Sequence, residues 1–284
     1  MKRTIKKVML IVNMHKTDAS ELTREIEEYL EGKGIETVVV GFLGKPENPD
    51  VKDVDFVFSL GGDGTVLYCA RIVESTGIPI LALNLGNFGF ITEISKHEWK
   101  SAFERFEKGE ACLSRRIMLK VVVERGGRKI ASFKGLNDAV ISSEGISTIV
   151  KLRLMINNTH LGEYRADGVI VATPTGSTAY SVSAGGPILE PEMEAIIVNP
   201  ICPFTLSNRP IVMSGDEVIS IFVEKDQRVG VILSIDGQES FPLYPDDRII
   251  IEKSRSKTLL VRSDVRNFYE ILRSKLNWSG GPDA

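Results

Sequence analysis

Histidine is nearly missing from this chain. The three present, His15, His97 and His160, are scattered through 284 residues. That weighs against imidazole catalysis and against a His-built metal centre. Cysteine is as sparse: Cys69, Cys112 and Cys202 are odd in number, far apart and in no metal-ligand spacing. A disulfide framework and a zinc site are excluded, and a reducing compartment is implied. An excess of charge of one sign is lacking too. The formal net charge is −3, so nothing suggests a broad nucleic-acid or membrane-binding surface. No apolar run approaches the length of a membrane span. The N-terminus, MKRTIKKVMLIVN, starts with basic residues as a signal peptide does. Its apolar stretch, Val8 to Val12, is too short for a signal core and reads as a first strand. The expectation is a cytoplasmic protein that binds neither nucleic acid nor membrane. Two nucleotide-binding signatures are missing as well. There is no G-x-G-x-x-G, and GFLGKP at 41–46 lacks both the spacing and the final hydroxyl of a G-x-x-x-x-G-K-[ST] loop.

What is present is organised around Leu60-Gly61-Gly62-Asp63-Gly64-Thr65. An apolar run, VDFVFS at 54–59, precedes it with the composition of a buried strand. TVLYCARIV at 65–73 follows and reads as a helix. Glycines at such a junction let the chain turn and let a ligand come close. The opening helix points unpaired N–H groups at an anion. An aspartate among those donors would repel phosphate, so Asp63 needs a reason of its own, and accepting a proton is one. A bare GGDG serves equally well as a tight turn, and the rest of the chain has to decide.

Before and after this loop, strand and helix patterns alternate. Val8 to Val12 is a strand; Asp18 with Glu21 fits a capping pattern; Leu22, Ile26, Tyr29 and Leu30 share a helical face. Ile35 to Val40 and Ile80 to Leu83 read as further strands. Such alternation makes a parallel sheet, whose ligands bind beyond the carboxyl ends of its strands. Asp63 lies at those ends, as does the loop from Asn84 through Phe88 to Phe90. Ser95 with Glu98 suggests a second capping box, before a stripe of Trp99, Phe103 and Phe106. From about Ser114 the chain becomes a series of short strands with turn signals, which implies a sandwich or layered sheets. The tail, Asn267 to Trp278, returns to helical spacing. The fold class expected is therefore α/β plus all-β. A Rossmann-like N-terminal domain with a parallel sheet spans 1–112, a β-sandwich-like domain spans 113–264, and a helix at 265–284 returns to the first domain.

Two polar stretches in the second half are costly unless used. Thr173-Pro174-Thr175-Gly176-Ser177-Thr178-Ala179-Tyr180-Ser181, with Ser183 beyond, is dense in hydroxyls after an apolar strand. As a helix start, Thr175 to Thr178 can cap and can offer donors to a ligand, and Tyr180 could stack on a planar ring. Asn137-Asp138 lies in an apolar strand, where a carboxylate needs a partner. Together they can bind the two hydroxyls of a ribose; the plain alternative is a bulge or sheet edge. Asp236-Gly237-Gln238 reads most simply as a β-turn.

These segments together resemble the NAD kinases, which phosphorylate the 2′-hydroxyl of the adenosine ribose of NAD to make NADP. The resemblance runs through nearly the whole chain: GGDGT at 61–65, NLGNFGFIT at 84–92, Asn137-Asp138, DGVIVATPTGSTAYSVSAGGP at 167–187, PFTLSNRPIV at 203–212, Asp236-Gly237-Gln238 and the closing KLNWS. GGDG alone is shared with diacylglycerol and sphingosine kinases and phosphofructokinases; TPTGSTAYS joined to GGDGT is specific. The resemblance implies an α/β domain, a β-rich domain and NAD bound between them, often across the subunit interface of a homodimer or homotetramer. It implies Asp63 as proton acceptor. It implies NAD contacts at Gly64, Asn137, Asp138, Asp167, Thr178, Ala179, Tyr180, Ser181, Ser183 and Gln238. Arg165 matches a variable position near the nicotinamide half, and Thr148 stands where relatives carry a longer polar or basic side chain. The N–H groups of Gly61, Gly62, Gly64 and Thr65 would face the phosphoryl oxygens. A divalent metal, Mg²⁺ by its chemistry, would ride on the phosphates of the donor, ATP or polyphosphate. Two other readings share parts of the pattern. A diacylglycerol-kinase-like lipid kinase has the glycine loop but does not predict TPTGSTAYS. A non-catalytic dinucleotide sensor would not need Asp63.

Overall fold

Four apolar runs near the N-terminus become parallel strands because helices cover the sheet they form. A computed structural model of the chain describes residues 4–44, 49–86, 89–145, 149–205 and 208–278. Contacts divide the chain into two units, Met1–Arg115 with Thr258–Ala284, and Arg116–Lys257.

In the first unit the sheet order is β2 (Glu36–Phe42), β1 (Lys7–Asn13), β3 (Phe56–Gly61) and β4 (Pro79–Asn84), all parallel, with the two-residue β5 (Ile94–Ser95) added to β4. α1 (Ala19–Glu31) connects β1 to β2, α2 (Asp63–Ile72) connects β3 to β4, and α3 (Trp99–Lys108) follows β5. Every residue of β3 and β4 is buried. That is why these strands read as unbroken apolar runs rather than alternating ones. One face of the sheet packs Phe56 and Phe58 against Trp99, Phe103 and Phe106, with ring centroids as close as 4.5 Å.

Three local expectations are corrected here. Asp18 caps no N–H of α1; its carboxylate pairs with the Lys96 ammonium instead. The helix after β3 starts at Asp63, two residues before the apolar pattern begins, with Gly62 extended at its N-cap (φ −132°, ψ −168°). At the second box, Glu98 accepts from the Ser95 N–H at 2.8 Å, but Ser95 belongs to β5 and the helix starts at Trp99.

The second unit is antiparallel. One sheet runs β13 (Ile211–Ser214), β12 (Ala195–Ile201), β11 (Gly168–Ala172), β8 (Asp138–Ser143), β15 (Val231–Ile235), β16 (Glu239–Leu243). The other contains β10 (Thr159–Ala166), β9 (Val150–Ile156), β14 (Ile219–Val223) and β17 (Arg248–Val261), and β17 also pairs with β6 (Leu113–Arg125), which pairs with β7 (Arg128–Gly135). Alternate residues of both sheets, among them Val121, Ile141, Leu152, Val171, Ile221 and Leu233, make one core, as in a sandwich. A 3₁₀ turn at Gly176–Thr178 and the short α4 (Tyr180–Ser183) interrupt the strands.

The chain then returns to the first unit. The last residues of β17 pair in parallel with β4, Leu259 with Pro79 and Leu260 with Ile80. α5 (Phe268–Leu276) follows, opened by a complete capping box between Asn267 and Glu270. Phe268, Ile271 and Leu272 are buried, and the Arg266 guanidinium donates to Glu98 at 2.7 Å. Among the described residues no helix is long and apolar enough to cross a membrane.

Candidate active site

The β3–α2 junction puts Asp63 in the first turn of α2, past the carboxyl end of a buried parallel strand. Its carboxylate does not hang free. Oδ2 accepts the Phe90 N–H at 2.9 Å, and Oδ1 accepts from the Ile91 N–H at 3.2 Å, the Thr92 N–H at 3.0 Å and the Thr92 hydroxyl at 3.0 Å. Of its neighbours, Gly62 has open space where a Cβ would be, and Gly64 is exposed. Gly61 is different: a Cβ there would fall under 3.0 Å from the Thr65 side chain. Thr65 itself is buried, and its N–H donates to Gly62 O at 2.9 Å. Gly61 and Thr65 thus brace each other, and the Thr65 N–H is spent within the turn. Asn84, in register with Gly61 across β3 and β4, is also turned inward. Its Oδ1 accepts from the Gly86 N–H at 2.6 Å and its Nδ2 donates to Thr92 Oγ1 at 3.2 Å. Cys69, wholly buried in α2, is no nucleophile: burial pushes its thiol up to about 12.

In the second unit three segments meet. Asn137-Asp138 opens β8, a strand inside the sheet between β11 and β15 and so not an edge. The carboxylate of Asp236, 8% exposed, accepts the N–H groups of Leu136, Asn137 and Asp138 at 2.9, 2.7 and 3.1 Å. Asp236 makes this fit in a left-handed conformation (φ 52°), followed by Gly237 (φ 63°). On the other side, Thr173 N donates to Asn137 O at 2.8 Å, and the Thr173 hydroxyl to Leu136 O at 2.5 Å. Gly176 lies so close that an added Cβ would collide with the Asn137 backbone. Two side-chain atoms in this cluster, Asn137 Oδ1 and Thr175 Oγ1, are buried with no hydrogen-bond partner. Such groups are rare in native proteins and mark places where a ligand or water completes the bonding. Burial, and then the nearby Asp236 charge, push the Asp138 carboxyl up to about 7.

The hydroxyls after Pro174 divide by use. Ser177 is buried and bonds Pro174 O and Leu189 N, and Thr178 donates to Thr175 O at 3.2 Å. Ser181 is buried beneath Asn199, whose Nδ2 donates to Ser181 O at 2.9 Å. Ala179 is half-buried, Tyr180 is 48% exposed, and Ser183 faces solvent. Gln238 is half-buried after the Asp236 turn, its N–H on Ile235 O at 2.9 Å. Arg165 and Asp167 are not part of this cluster. They flank the other end of β11, with five buried residues between Asp167 and Thr173. Arg165 is exposed on a cavity of about 490 Å³ that it shares with Lys151, Phe204 and Arg228. Phe88 and Thr148 lie outside the described residues.

Thr92, Gly89, Asp236 and Asn199 are residues to which sequence reasoning gave no role of their own. Gly89 and Thr92 stood inside the NLGNFGFIT segment and Asp236 in an Asp-Gly turn; Asn199 carried no signal.

Residues 45–111 match the model of the ATP-NAD kinase N-terminal domain, and residues 136–263 that of the ATP-NAD kinase C-terminal domain. An NAD kinase of Treponema denticola is 42% identical over 277 residues, covering 97% of this chain and 98% of that protein. This chain belongs to the NAD kinase family. An NAD kinase of Geotalea daltonii is 39% identical over 282 residues, covering 96% and 99%. Among solved structures, yeast NADH kinase complexed with NADH matches with a TM-score of 0.86 at 25% identity, over 98% of this chain and 89% of that one. An NAD kinase from Archaeoglobus fulgidus in complex with ATP matches at 0.75 and 26% identity, over 97% and 100%. The lipid-kinase and sensor readings gain no support from these relatives.

Proposed function

We infer that this protein is an NAD kinase that phosphorylates the 2′-hydroxyl of the adenosine ribose of NAD, with ATP as donor. The ribose oxygen attacks the terminal phosphorus in line. The new P–O bond forms as the bond to the leaving ADP oxygen breaks, and the hydroxyl proton passes to a base. The observation that carries this reading is the single carboxylate of Asp63, held by four donors at the first turn of α2 beyond a parallel strand end. A sugar hydroxyl is a weak nucleophile at neutral pH, and a positioned carboxylate is the group that changes this. The exposed Gly64, and Gly62 with open space beside its Cα, would let the backbone approach the phosphoryl oxygens.

On the dinucleotide side, Asn137 Oδ1 and Asp138 would accept ribose hydroxyls, and Thr175 Oγ1 would find its missing partner on the ligand. Tyr180 offers its exposed ring for stacking. Among the described residues no three His, Cys, Asp or Glu side chains converge into a metal cage. A divalent cation would be held mainly by the donor's phosphates, as Mg²⁺ commonly is. When bound, it offsets charge on the transferring group.

Arg165 and Asp167 need a different account. Six strand steps of about 3.4 Å put Asp167 some 20 Å from the Asn137 corner, and Arg165 lies further along the chain. A second copy of the chain would present them to a dinucleotide held at that corner of the first. The deciding experiment supplies purified protein with NAD, Mg²⁺ and, in turn, ATP, other nucleoside triphosphates and polyphosphate. NADP is read with an NADP-dependent dehydrogenase. Formation of NADP from ATP is expected; no NADP from any donor ends the reading.

A further inference from the structure

The carboxylate of Asp63 is fixed by Gly89–Thr92, the end of the NLGNFGFIT segment, to which the resemblance gives a place and no task. We propose that Gly89–Thr92 is the positioning element of the proton acceptor, with Thr92 as its positioning residue, and that the proton is taken at Oδ2. The inference rests on Asp63 being the base.

A carboxylate has about four acceptor sites in all. Counted as two per oxygen, Oδ1 is over-subscribed by its three donors, whereas Oδ2 receives, among the described residues, only the Phe90 N–H and keeps one site open. The incoming hydroxyl therefore has one oxygen to address. Thr92 is what makes the arrangement rigid. A hydroxyl has one proton and two lone pairs. Thr92 Oγ1 accepts from the Gly89 N–H at 3.0 Å and from Asn84 Nδ2 at 3.2 Å, which uses both lone pairs. Its proton is left with Asp63 Oδ1 as the target, in a position with no solvent exposure. Gly89 supplies the seat. A Cβ on it would come under 3.0 Å from Oδ1, Oδ2 and Cγ of Asp63 alike, although its backbone is not left-handed. Glycine is required there for room and not for conformation.

The obvious alternative is that Asp63 merely staples this loop. The two are separated by steady-state kinetics of Gly89→Ala, Thr92→Val and Thr92→Ser, each alone and combined with Asp63→Asn, with NAD affinity and Tm measured on every variant. Gly89→Ala pushes the carboxylate off its seat, and a displacement near 1 Å should cost about a hundredfold in kcat, with KM for NAD within about threefold. Thr92→Val keeps the shape, loses the three bonds and should cost about tenfold in kcat, whereas Thr92→Ser restores the hydroxyl and stays within about threefold. In the Asp63→Asn background the same substitutions should cost no more than about twofold, because they act through that side chain. Equal losses in both backgrounds, or unchanged kcat in Gly89→Ala and Thr92→Val, overturn the proposal. If Gly89→Ala does not fold, the Thr92→Val and Thr92→Ser pair decides alone. A wild-type protein that makes no NADP overturns the parent reading and this one with it; a wild type that turns over with additive variants overturns only this one.

Discussion

Two carboxylates in this chain sit in opposite circumstances, and their chemistry follows. Asp63 is surrounded by donors and is half-exposed. Asparagine there keeps the size but cannot take a proton, and its amide would face the Phe90 N–H donor to donor. Asp63→Asn should lose on the order of a hundredfold or more in kcat, the size of effect of a positioned base, with little change in NAD affinity. Unchanged turnover removes the assignment. Asp138 has the reverse setting: it is buried beside the Asp236 charge, and its carboxyl is pushed up to about 7, far above the usual carboxylate range. The folded protein thus holds a proton that the unfolded chain has already released between about pH 4 and 7. That raised carboxyl contributes stability present below about pH 4 and lost as pH rises through about 7, on the order of 4 kcal/mol in total. Denaturant unfolding at pH 5 and pH 8 should show wild type losing more stability than Asp138→Asn over that interval; parallel losses refute it. Ribose hydroxyls donating to this carboxylate favour its ionised form, so NAD binding near pH 7 should release protons, measurable by calorimetry in buffers of different ionisation enthalpy.

At the scale of elements, the Asn137 corner depends on three chain segments closing without a gap. The Gly176 Cα lies against the backbone of Asn137, and backbone, unlike a side-chain tip, cannot swing aside. Gly176→Ala should destabilise by about 3 kcal/mol or more through overpacking and lost Thr173 bonds, seen as a Tm drop or as insoluble protein. An unchanged Tm would show that the turn can yield. The strands of this corner were legible in the sequence, since apolar period and turn residues act locally. β3 and β4 announced themselves as continuous apolar runs, and Trp99, Phe103 and Phe106 as a stripe. The Asp236 carboxylate was not legible as the clamp on residues 136–138, because nothing local records a contact across about a hundred residues. Thr92 and Asn199 were hidden for the same reason. Asp18 misled because a capping residue needs its carboxylate free, and Lys96, far along the chain, takes it. The start of α2 was misplaced because Gly-Asp-Gly scores as a turn, while here Asp63 spends its side chain on the 90–92 backbone and its own backbone on the helix.

At the scale of the molecule, the protein supplies positions for groups that the ligands bring. The cation is one. With no cage of ligand side chains among the described residues, it should come and go with the donor. EDTA should therefore abolish turnover while leaving Tm in the absence of ATP within about a degree, and excess Mg²⁺ should restore activity. A large fall in Tm on chelation would mean a structural metal instead. The proposal that a second copy of the chain completes the site belongs to the same scale. Asp167 and Asn137 stand at opposite ends of β11, and the buried strand between them keeps one chain from closing both around the same ribose. If a partner provides Asp167, each site needs Asn137 from one chain and Asp167 from another. Asn137→Ala and Asp167→Ala should each be nearly inactive alone. Co-expressed with different affinity tags and purified through both, they form mixed oligomers with one intact site for each doubly mutated one. For a dimer, the mixed species should recover about half the wild-type kcat, because sites this far apart act independently. Activity no higher than that of either parent would mean that both residues serve a single chain, and the two ends of β11 would then have to be joined by the length of the dinucleotide itself.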